Sequence, residues 1–501
     1  MRAKKTDEEL TLIGSNGIEE VRSEASGQEL GRSPKAQGNA VTLWLLYLVC
    51  AIEGVDLQLL PASFKALESD LGFGPGVLGA LSMGQALFLA TSGPVWGSLA
   101  DRGMSRKSML SRAALAWGII TVLLGSTSEL WIVFLLRCLN GIALAALVPI
   151  SQSLIADLTQ DHNRGLVFGL VQCSGNLGRG ISSMAVTAVA DDDLKLPGLE
   201  IRGWRAAFML VGLMSLVVSF VVTSYMVEPA RDTSYGGSDA KSGGGESETR
   251  TSSSFFHELR LECRMLLSYF RIKSFVVILT QGAFGMIPWS SLTFLTLFLQ
   301  YCGLSDLKAG IVSMTVVFSC GAGGIVGGVI GDRLTKWSRF HGRPCTAQIS
   351  VLAGMIAMAI LLCWVPKKAD SFAGFMMVSV VFGVTASWAA VGCNSPMLLE
   401  LVDSGSRSRI IALLIAVNGA TAAVLGGPVV GFLSQAMGYN SPARGVKISD
   451  LADAQKEKNL NSLTKALLVG TIPPWLICFT AFTALHWTYE KDVRKLQTSR
   501  Q

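Results

Sequence analysis

GSLADR, at residues 97–102, ends a long apolar stretch and is matched by GVIGDR at residues 328–333, which ends another. Each copy brings a glycine, an aspartate and an arginine to the point where the apolar stretch stops. A looser repeat of proline, aspartate and arginine occurs at Pro149, Asp157 and Arg164 and again at Pro396, Asp403 and Arg407. The offsets, roughly 231 and 247 residues, are those expected of two homologous halves of one chain.

The composition around these repeats is that of a membrane protein. Of the 501 residues, 50% are hydrophobic and only 16% are Asp, Glu, Lys or Arg, and the mean hydropathy is +0.46. A soluble globular protein carries roughly a quarter charged residues, so a soluble enzyme of two or three domains is excluded. A bilayer core about 30 Å thick takes roughly 20 apolar residues per helix. The sequence therefore predicts an all-α polytopic membrane protein.

Twelve apolar windows fall along the chain, six on each side of a polar middle stretch. They lie near residues 41–62, 76–99, 109–127, 130–155, 165–189, 204–227, 273–300, 308–331, 346–365, 372–396, 409–434 and 464–486. We expect twelve transmembrane helices in two pseudo-symmetric six-helix bundles. The predicted units are a disordered cytosolic tail (1–40), an N-terminal bundle (41–228), a cytosolic linker (229–272), a C-terminal bundle (273–490) and a second cytosolic tail (491–501).

The predicted linker contains two different segments. The run GGSDAKSGGGESETRTSSS is too poor in apolar residues to fold, whereas residues 255–270, FFHELRLECRMLLSYF, are expected to form an amphipathic helix on the membrane surface. Lysine and arginine residues outside the windows are concentrated on the side that carries both termini. The positive-inside rule places that side in the cytosol.

Other classes of function find no support in the sequence. We attribute the net charge of +6 to cytoplasmic loops and expect no nucleic-acid partner. The ten cysteines form no CxxC motif and most lie in apolar windows, so we expect small core residues rather than disulfides or a zinc site. No Walker motif or nucleophile constellation occurs. We therefore predict neither an enzyme nor an ATP-driven pump, with no catalytic residue, cofactor or metal.

Several motifs resemble those of the major facilitator superfamily. GSLADR followed by Arg106-Lys107 resembles its loop 2–3 signature, RCLNG at residues 137–141 resembles its fourth-helix motif, and GWR at residues 203–205 is typical of the start of its sixth span. The resemblance covers about residues 41–490. It implies a fold of two six-helix bundles that move a solute by alternating access. Within the superfamily the chain is most similar to Spinster-like transporters of lysolipid or sphingoid solutes.

The Spinster-like resemblance rests on two patterns and has visible departures. The patterns are Gly331, Asp332, Arg333, Gly342, Arg343 and Gln348 in one half, and Pro149, Asp157 and Arg164 in the other. Leu144 stands where Spinster-like proteins often carry a glutamate, and the loop 2–3 motif has Met104 or Ser105 in place of a glycine. Span 5 reads GNLGRG at residues 175–180, not the Gly-Pro-x-x-Gly-Gly of drug/proton antiporters, which disfavours that class.

Four charged residues fall deep inside the predicted spans. They are Glu53 and Asp56 in span 1, Arg137 in span 4 and Arg179 in span 5. At 1.5 Å per residue, all four lie at about one depth in the bilayer. Charges at such depth are costly, which makes them candidates for a substrate or proton pathway. Two interpretations stay open: a static salt-bridge cluster, or a site where an arginine binds an anionic group or a carboxylate exchanges a proton.

Span 5 carries polar residues on one helical face, whereas the second half has no deep charge. The face of span 5 comprises Gln172, Asn176, Arg179, Ser183 and Thr187, and it is expected to line a cavity or to pack against another helix rather than to meet lipid. The deep polar and aromatic residues of spans 7–12 are Gln281, Trp289, Thr293, Trp388, Asn394 and Asn418. A cavity charged on one wall and apolar on the other suits an amphipathic solute.

The repeated motif is expected to form a conformational latch. Its members are Gly97, Asp101, Arg102, Asp332 and Arg333. Within the resemblance, Asp101 binds the positive start of span 11, near Arg407 and Arg409, and breaking that contact permits the halves to rock; the alternative is an exposed loop charge. The small-residue pairs Gly93/Gly97, Gly165/Gly169 and Gly327/Gly331 predict close helix approach.

These features predict a secondary active or facilitative transporter of a small organic solute, anionic or amphipathic and lysolipid-like. The alternative is a non-transporting sensor or scaffold with the same fold. Proton coupling stays open. We expect a monomer in contact with membrane lipid, with both termini cytosolic. The sequence EELTLI at residues 8–13 fits an acidic dileucine sorting signal, so the plasma membrane and an endolysosomal membrane are both open as locations.

Overall fold

The computed structural model describes residues 34–101, 104–159, 161–196, 199–228, 268–402 and 407–500. Within them the first half contains span 1 (Pro34–Ala62), a short helix (Phe64–Leu71), span 2 (Pro75–Asp101), span 3 (Arg106–Ser126), span 4 (Leu130–Leu144 and Leu147–Leu158), span 5 (Asp161–Val189) and span 6 (Gly203–Tyr225). The second half contains span 7 (Lys273–Ser291, Leu292–Phe294 and Leu295–Tyr301), span 8 (Asp306–Trp337), span 9 (Gly342–Ala359 and Ile360–Trp364), span 10 (Phe372–Ala386, Ala389–Asn394 and Ser395–Leu401), span 11 (Arg407–Leu425 and Gly427–Ala436) and span 12 (Asp453–Arg500). Single-turn 3-10 helices occur at Ala369–Ser371 and Ile448–Asp450.

The predicted fold of twelve membrane helices is confirmed. Eleven of the described spans are long and apolar enough to cross a membrane. Span 5 is 29 residues long and packs between spans 1 and 8, but its polar face lowers its hydropathy. Helices suit this environment because they satisfy every interior backbone N–H and C=O group without water.

Parts of the predicted organisation lie outside the described residues. Most of the tail at 1–40, most of the linker at 229–272, the sorting pattern at 8–13 and nearly all of the predicted surface helix at 255–270 are among them. Where the structure describes the chain, span 1 begins at Pro34 and span 12 continues to Arg500. Helix therefore extends into both predicted tails.

A small antiparallel hairpin joins spans 5 and 6, which the sequence analysis did not predict. Strand β1 (Asp193–Leu196) pairs with β2 (Leu199–Arg202), with Asp193 opposite Arg202. The hairpin marks one end of the bundle, called here the hairpin side. The opposite end, where span 1 begins and span 12 ends, is called the terminus side.

Local caps fix the ends of the helices near the candidate sites. The Ser105 and Ser305 side chains begin spans 3 and 8 by accepting hydrogen bonds from the backbone N–H groups of Ser108 and Lys308. The short helix after span 1 ends at Gly72, whose left-handed φ of 72° lets its N–H bond the carbonyl oxygen of Glu68. This helix therefore stops at the hairpin side and turns the chain into span 2.

Glycines allow spans 1 and 5 to touch backbone to backbone. A Cβ atom on Gly178 would overlap the carbonyl oxygen of Ala51, and one on Gly54 would overlap that of Gly175. Gly327 and Gly331 approach span 10 closely, as predicted. Gly93, Gly165 and Gly169 have no neighbouring atom within 4 Å of such a Cβ, so the expectation of close approach is wrong there. Those three glycines face open space instead.

The two halves are in contact at the hairpin side. In spans 5 and 8, a Cβ atom on Gly310 would lie 2.7 Å from the carbonyl oxygen of Ser183, and one on Gly180 would lie 2.8 Å from the Phe318 ring. Spans 2 and 11 are equally close, since a Cβ atom on Gly79 would lie 2.8 Å from the carbonyl oxygen of Gly427. The halves thus close the bundle at this end.

The same pairs of spans separate towards the terminus side. On the helical face that continues from Phe318, Ile325 is 74% exposed, and on the face that continues from Gly180, Leu166 is 66% exposed. Spans 2 and 11 stay in contact as far as Ala90 and Gly419, beyond which Ile415 is exposed. The molecule is therefore closed at the hairpin side and open at the terminus side.

Candidate functional site

Glu53 and Arg179 are brought together by the close approach of spans 1 and 5. The backbone nitrogen of Arg179 would lie 3.1 Å from a Cβ atom on Gly54, the residue next to Glu53. Both side chains are half-buried, and each charge acts electrostatically on the other. No ion pair within 4.0 Å joins them, although the structure describes both residues. The buried Nε of Arg179 has no hydrogen-bond partner.

Asp56 begins a chain of buried hydrogen bonds that crosses four spans. Thr121 Oγ1 donates to Asp56 Oδ2 at 2.6 Å, and Asn140 Nδ2 donates to Thr121 Oγ1 at 3.1 Å. Gln85 Nε2 donates to Asn140 Oδ1 at 2.6 Å, and Arg137 Nη2 donates to Gln85 Oε1. Four hydrogen bonds through three neutral side chains therefore link the Asp56 carboxylate to the Arg137 guanidinium without a direct ion pair.

This chain leaves several buried polar atoms without a partner. They are Asp56 Oδ1 and the Nε and Nη1 atoms of Arg137. Both residues are almost completely buried, with 0% and 1% of their surfaces exposed. Leaving a charged donor or acceptor unpaired in a dry interior costs more than a neutral hydrogen bond gains. The Asp56–Arg137 pair is thus connected but not fully satisfied.

The structure divides the four predicted charges into two couples. Arg137 is the charge that acts on Asp56, and Arg179 is the principal opposite charge on Glu53. A static salt-bridge cluster would require direct ion pairs, and none joins any two of these four described residues. Thr121 and Gln85 were missed by the sequence analysis because a threonine or glutamine inside an apolar span is common. Only Asn140, within RCLNG, carried a signal.

The polar face of span 5 has two different environments. Gln172 is exposed and Asn176 is half-buried, on the part of the helix that has parted from span 8. Ser183 and Thr187 are buried, and their hydroxyl oxygens have no hydrogen-bond partner. Towards the hairpin side this face is packed, and towards the terminus side it is open; that the open part lines a substrate cavity stays a prediction.

An aromatic group forms part of the second half. The Trp289, Phe382 and Trp475 ring centroids, from spans 7, 10 and 12, lie 5.5 to 6.2 Å apart. Asn394 Oδ1 and Asn418 Oδ1 are buried without a partner. This half therefore offers aromatic surface and unpaired amide oxygens, whereas the first half offers charge.

The predicted latch is only partly described. The side chains of Asp101 and Arg102 lie outside the described residues, so their role stays a prediction. In the second copy of the repeated motif, at residues 328–333, Asp332 forms an ion pair with Arg343 at 3.4 Å. Arg343 Nη1 also donates a hydrogen bond to the carbonyl oxygen of Gly392 at 2.8 Å. Arg333 is exposed, and a Cβ atom on Gly97 would meet only Pro149, at 3.6 Å. The second copy thus ties spans 8, 9 and 10 of one half together.

Span 3 begins with a buried arginine that ties together the terminus side of the first half. Arg106 forms an ion pair with Asp157 and a hydrogen bond of 3.0 Å to Ser153 Oγ, both in span 4. Its backbone N–H donates to Glu228 Oε1, after span 6, at 2.7 Å. Glu228 carried no sequence signal. Within the described residues, no group of three or more His, Cys, Asp or Glu side chains could hold a metal ion.

Comparison with known proteins gives a family and several structural neighbours. The profile of the Major Facilitator Superfamily matches residues 46–425. The multidrug resistance protein MdtG of Escherichia coli is 30% identical over 194 residues, which cover 38% of this chain and 44% of that protein. The match thus spans less than half the length of that relative.

Solved structures match over nearly the whole chain. Two crystal structures of a bacterial homologue of the human lysosomal transporter Spinster, both inward-facing, one unoccupied and one occupied, have a TM-score of 0.73 at 18% identity. Each match covers 92% of this chain and 99% of that one. A D-xylose-proton symporter has a TM-score of 0.61 at 15% identity, with 87% and 97% covered. With the matching profile and two six-helix halves around an open centre, the chain belongs to the Major Facilitator Superfamily of membrane transporters and is similar in structure to its Spinster-like members.

Proposed function

We propose that this protein carries a small organic solute across a membrane by alternating access, as a secondary active or facilitative transporter. The observation that carries this proposal is the couple of Glu53 and Arg179, half-buried and not ion-paired. It lies next to Gly180, the level at which spans 5 and 8 part. Opposite charges held near each other but unpaired, beside an opening, are suited to binding a polar solute.

The chemistry of the two halves supports an anionic or amphipathic solute. The Arg179 guanidinium presents donors in a planar fork that matches a phosphate or carboxylate. Gln172 and Asn176 extend the polar face towards the opening. Trp289 and its aromatic neighbours supply apolar surface in the other half. A lysolipid-like molecule combines one anionic group with one apolar chain.

Proton coupling is the second part of the proposal. Asp56 has one oxygen bound to Thr121 and the other without a partner. Such a carboxylate can take up a proton when it is not neutralised, because burial disfavours its charged form. One structural neighbour is a D-xylose-proton symporter, so the fold accommodates coupling of this kind. Glu53 is the alternative proton acceptor.

The proposed setting is a plasma or endolysosomal membrane with both termini cytosolic. The excess of lysine and arginine on the terminus side supports this orientation. The opening then faces the cytosol. We further propose that the protein acts as a monomer whose outer surface meets lipid.

Uptake into proteoliposomes tests the proposal. The probe is an isotope-labelled lysophospholipid, compared with a monoacylglycerol of the same chain, which lacks the phosphate. Arg179→Gln should lower phospholipid uptake about ten- to hundredfold, because a charge-assisted hydrogen bond is worth about 1.5–3 kcal/mol. Arg179→Lys should recover only part of the rate.

Arg112→Gln is the matched control, because Arg112 is exposed on span 3 and outside the proposed site. Its uptake should equal that of the wild type. Equal uptake by wild type and Arg179→Gln would contradict the proposed site. Saturable binding of the lysophospholipid with no uptake would support the non-transporting sensor instead.

A further inference from the structure

A buried carboxyl group at the hairpin side connects the two halves. Glu68 lies in the short helix after span 1, and none of its surface is exposed. Among the described residues, both hydrogen-bond partners of its side chain come from the other half: Tyr301 at the end of span 7 and Tyr439 just after span 11. Tyr301 is bound in turn by Asn459 of span 12. Opening the hairpin side would therefore pull Glu68 out of this enclosure and into water.

The Glu68 carboxyl group and two tyrosine hydroxyl groups form a closed ring. Tyr439 Oη lies 2.7 Å from Glu68 Oε1 and 2.8 Å from Oε2. The two tyrosine hydroxyl oxygens are 2.8 Å apart, and Tyr301 Oη is 3.3 Å from Glu68 Oε2. Asn459 Nδ2 donates to Tyr301 Oη at 3.3 Å. The ring has three edges, each of which needs one proton to be a hydrogen bond.

Counting protons decides the charge state that fits this ring. Each tyrosine supplies one hydroxyl proton, so an ionised Glu68 leaves two protons for three edges. One pair of oxygens would then face each other at hydrogen-bond distance without a proton between them. A protonated Glu68 supplies the third: Glu68 donates to Tyr439, Tyr439 to Tyr301, and Tyr301 to Glu68. The neutral acid completes the ring.

The surrounding charges do not offer Glu68 a counter-ion. Lys65, one helical turn earlier, is bound to Asp306 of the other half at 2.8 Å and to Asp191 at 3.2 Å. Among the described residues, no cation lies within ion-pair distance of Glu68. Within the part of the chain that the structure describes, the titratable groups that act on it are Tyr301 and Tyr439. An ionised Glu68 would thus be an uncompensated buried charge, which is strongly unfavourable.

We propose that Glu68 is a proton-binding site that locks the hairpin side: it holds a proton while that side is closed and releases it when the side opens. The inference rests on the proposed alternating access, since it requires an open state of the hairpin side. Burial is the physical cause, and it raises the pKa of Glu68 from 4.5 to about 8, against the opposing effect of the hydrogen bonds from Tyr439 and Tyr301.

The sign of the pH effect follows from linkage. The closed state binds a proton that the open, hydrated state has lost, so between about pH 5 and 8 acid favours closure and alkali favours opening. In that window the ratio of open to closed molecules should rise about tenfold per pH unit. Below this pH window Glu68 is protonated in both states, and above it Glu68 has lost its proton in the closed state as well. The ratio of open to closed molecules therefore stops changing with pH outside the window.

Distance measurement between spin labels tests the lock directly. Labels at Asp192→Cys and Asn461→Cys lie on exposed positions of the two halves at the hairpin side. The background carries Cys173→Ser, Cys263→Ser and Cys363→Ser. Double electron–electron resonance in lipid nanodiscs from pH 5 to 9 then reports the open fraction. The wild-type fraction should rise with pH. Glu68→Gln, which keeps a neutral donor and acceptor, should stay closed throughout.

Two further variants complete the experiment. Glu457→Gln, an exposed glutamate of span 12, is the matched control and should keep the wild-type pH profile. Tyr439→Phe removes two edges of the ring, so its open fraction at pH 5 should exceed that of the wild type. If the Glu68→Gln protein does not accumulate in the membrane, the open fraction of Tyr439→Phe at pH 5 tests the proposal by itself. An unchanged pH profile in Glu68→Gln, or a wild-type open fraction at pH 5 in Tyr439→Phe, overturns the proposal.

The measurement needs no substrate, so it separates the lock from the proposed function. Opening that depends on pH through Glu68, in a protein that moves no solute, would support the lock and contradict transport. Solute uptake by a protein whose label distances do not change with pH would contradict the lock alone.

Discussion

At the scale of single residues, the four deep charges are held apart in a way that the sequence did not reveal. Arg137 reaches Asp56 through Gln85, Asn140 and Thr121 rather than through an ion pair. Permanent pairing of buried ions is a poor source of stability, because desolvation offsets most of the attraction. An unsatisfied chain of this kind suits groups whose charge or partner changes during a transport cycle.

Arg137 and Asp56 should be energetically coupled. Arg137→Ala should lower the free energy of unfolding and abolish uptake, because it leaves the Asp56 carboxylate buried without its compensating charge. Adding Asp56→Asn should restore part of the stability, with a coupling energy of about 0.5–3 kcal/mol in a double-mutant cycle. Arg137→Lys should rescue poorly, since a point charge does not replace a planar donor. Thermal unfolding in detergent measures the cycle.

Glu53→Gln combined with Arg137→Ala serves as the control for that cycle. Glu53 is coupled to Arg179 instead, so the second substitution should restore little. A full recovery of stability and uptake in this pair, and none with Asp56→Asn, would show that the charges are paired differently.

At the scale of helices, the contact between spans 1 and 5 positions the candidate site. The backbones meet at Gly54 and Gly178, where a side chain has no room. Close backbone approach through small residues is a means of helix association that works in lipid, where apolar contact alone gives no net driving force. The same contact sets the separation of Glu53 and Arg179.

Alanine substitutions on span 5 should therefore have opposite effects at two glycines. Gly178→Ala places a methyl group on the Ala51 carbonyl and should destabilise the protein by about 1–3 kcal/mol or more, with loss of uptake. Gly169→Ala meets no atom within 4 Å and should leave stability equal or raise it by up to about 1 kcal/mol. Unfolding temperature and uptake, measured side by side, check both. Equal unfolding temperatures and equal uptake rates for Gly178→Ala and Gly169→Ala would contradict the proposed contact between spans 1 and 5.

At the scale of the whole molecule, a small set of polar contacts closes the hairpin side. Besides the ring around Glu68, the Lys65 ammonium binds Asp306 across the halves, and the Gly445 N–H donates to the carbonyl oxygen of Ser69 at 2.7 Å. Among the described side chains of spans 5 and 8, no comparable set of contacts separates the terminus side from the centre, and Leu166 and Ile325 are exposed there. The difference in free energy between closing the hairpin side and closing the terminus side determines which side is open.

Weakening the Lys65 contact should shift that balance. Lys65→Met should raise the open fraction of the hairpin side by up to about fivefold, since a partly exposed ion pair contributes up to about 1 kcal/mol. The spin-label pair at positions 192 and 461 measures it at constant pH. Lys456→Met is the matched control, because Lys456 pairs with Asp453 inside one half. Equal open fractions in the two variants would exclude a cross-half role for Lys65.

The membrane fold was predictable because hydropathy is a local property. A run of about twenty apolar residues needs a bilayer wherever it lies in the chain, and repeats such as GSLADR and GVIGDR mark two halves without any knowledge of contacts. The deep charges were also found from the sequence, because a charge inside an apolar run is conspicuous. The hairpin between spans 5 and 6 was missed, since it lies in a short polar connector.

The sequence by itself therefore determined that this chain spans a membrane, forms two six-helix halves and places four charges near one depth. Only the tertiary structure decided which charges face each other, where the halves touch and which end is open. Glu68 shows the physical reason. Near Lys65, after the first span, it resembles an ordinary connector charge, and its partners lie 233 and 371 residues away along the chain. Burial by such distant partners is a property of packing, and no local pattern records it.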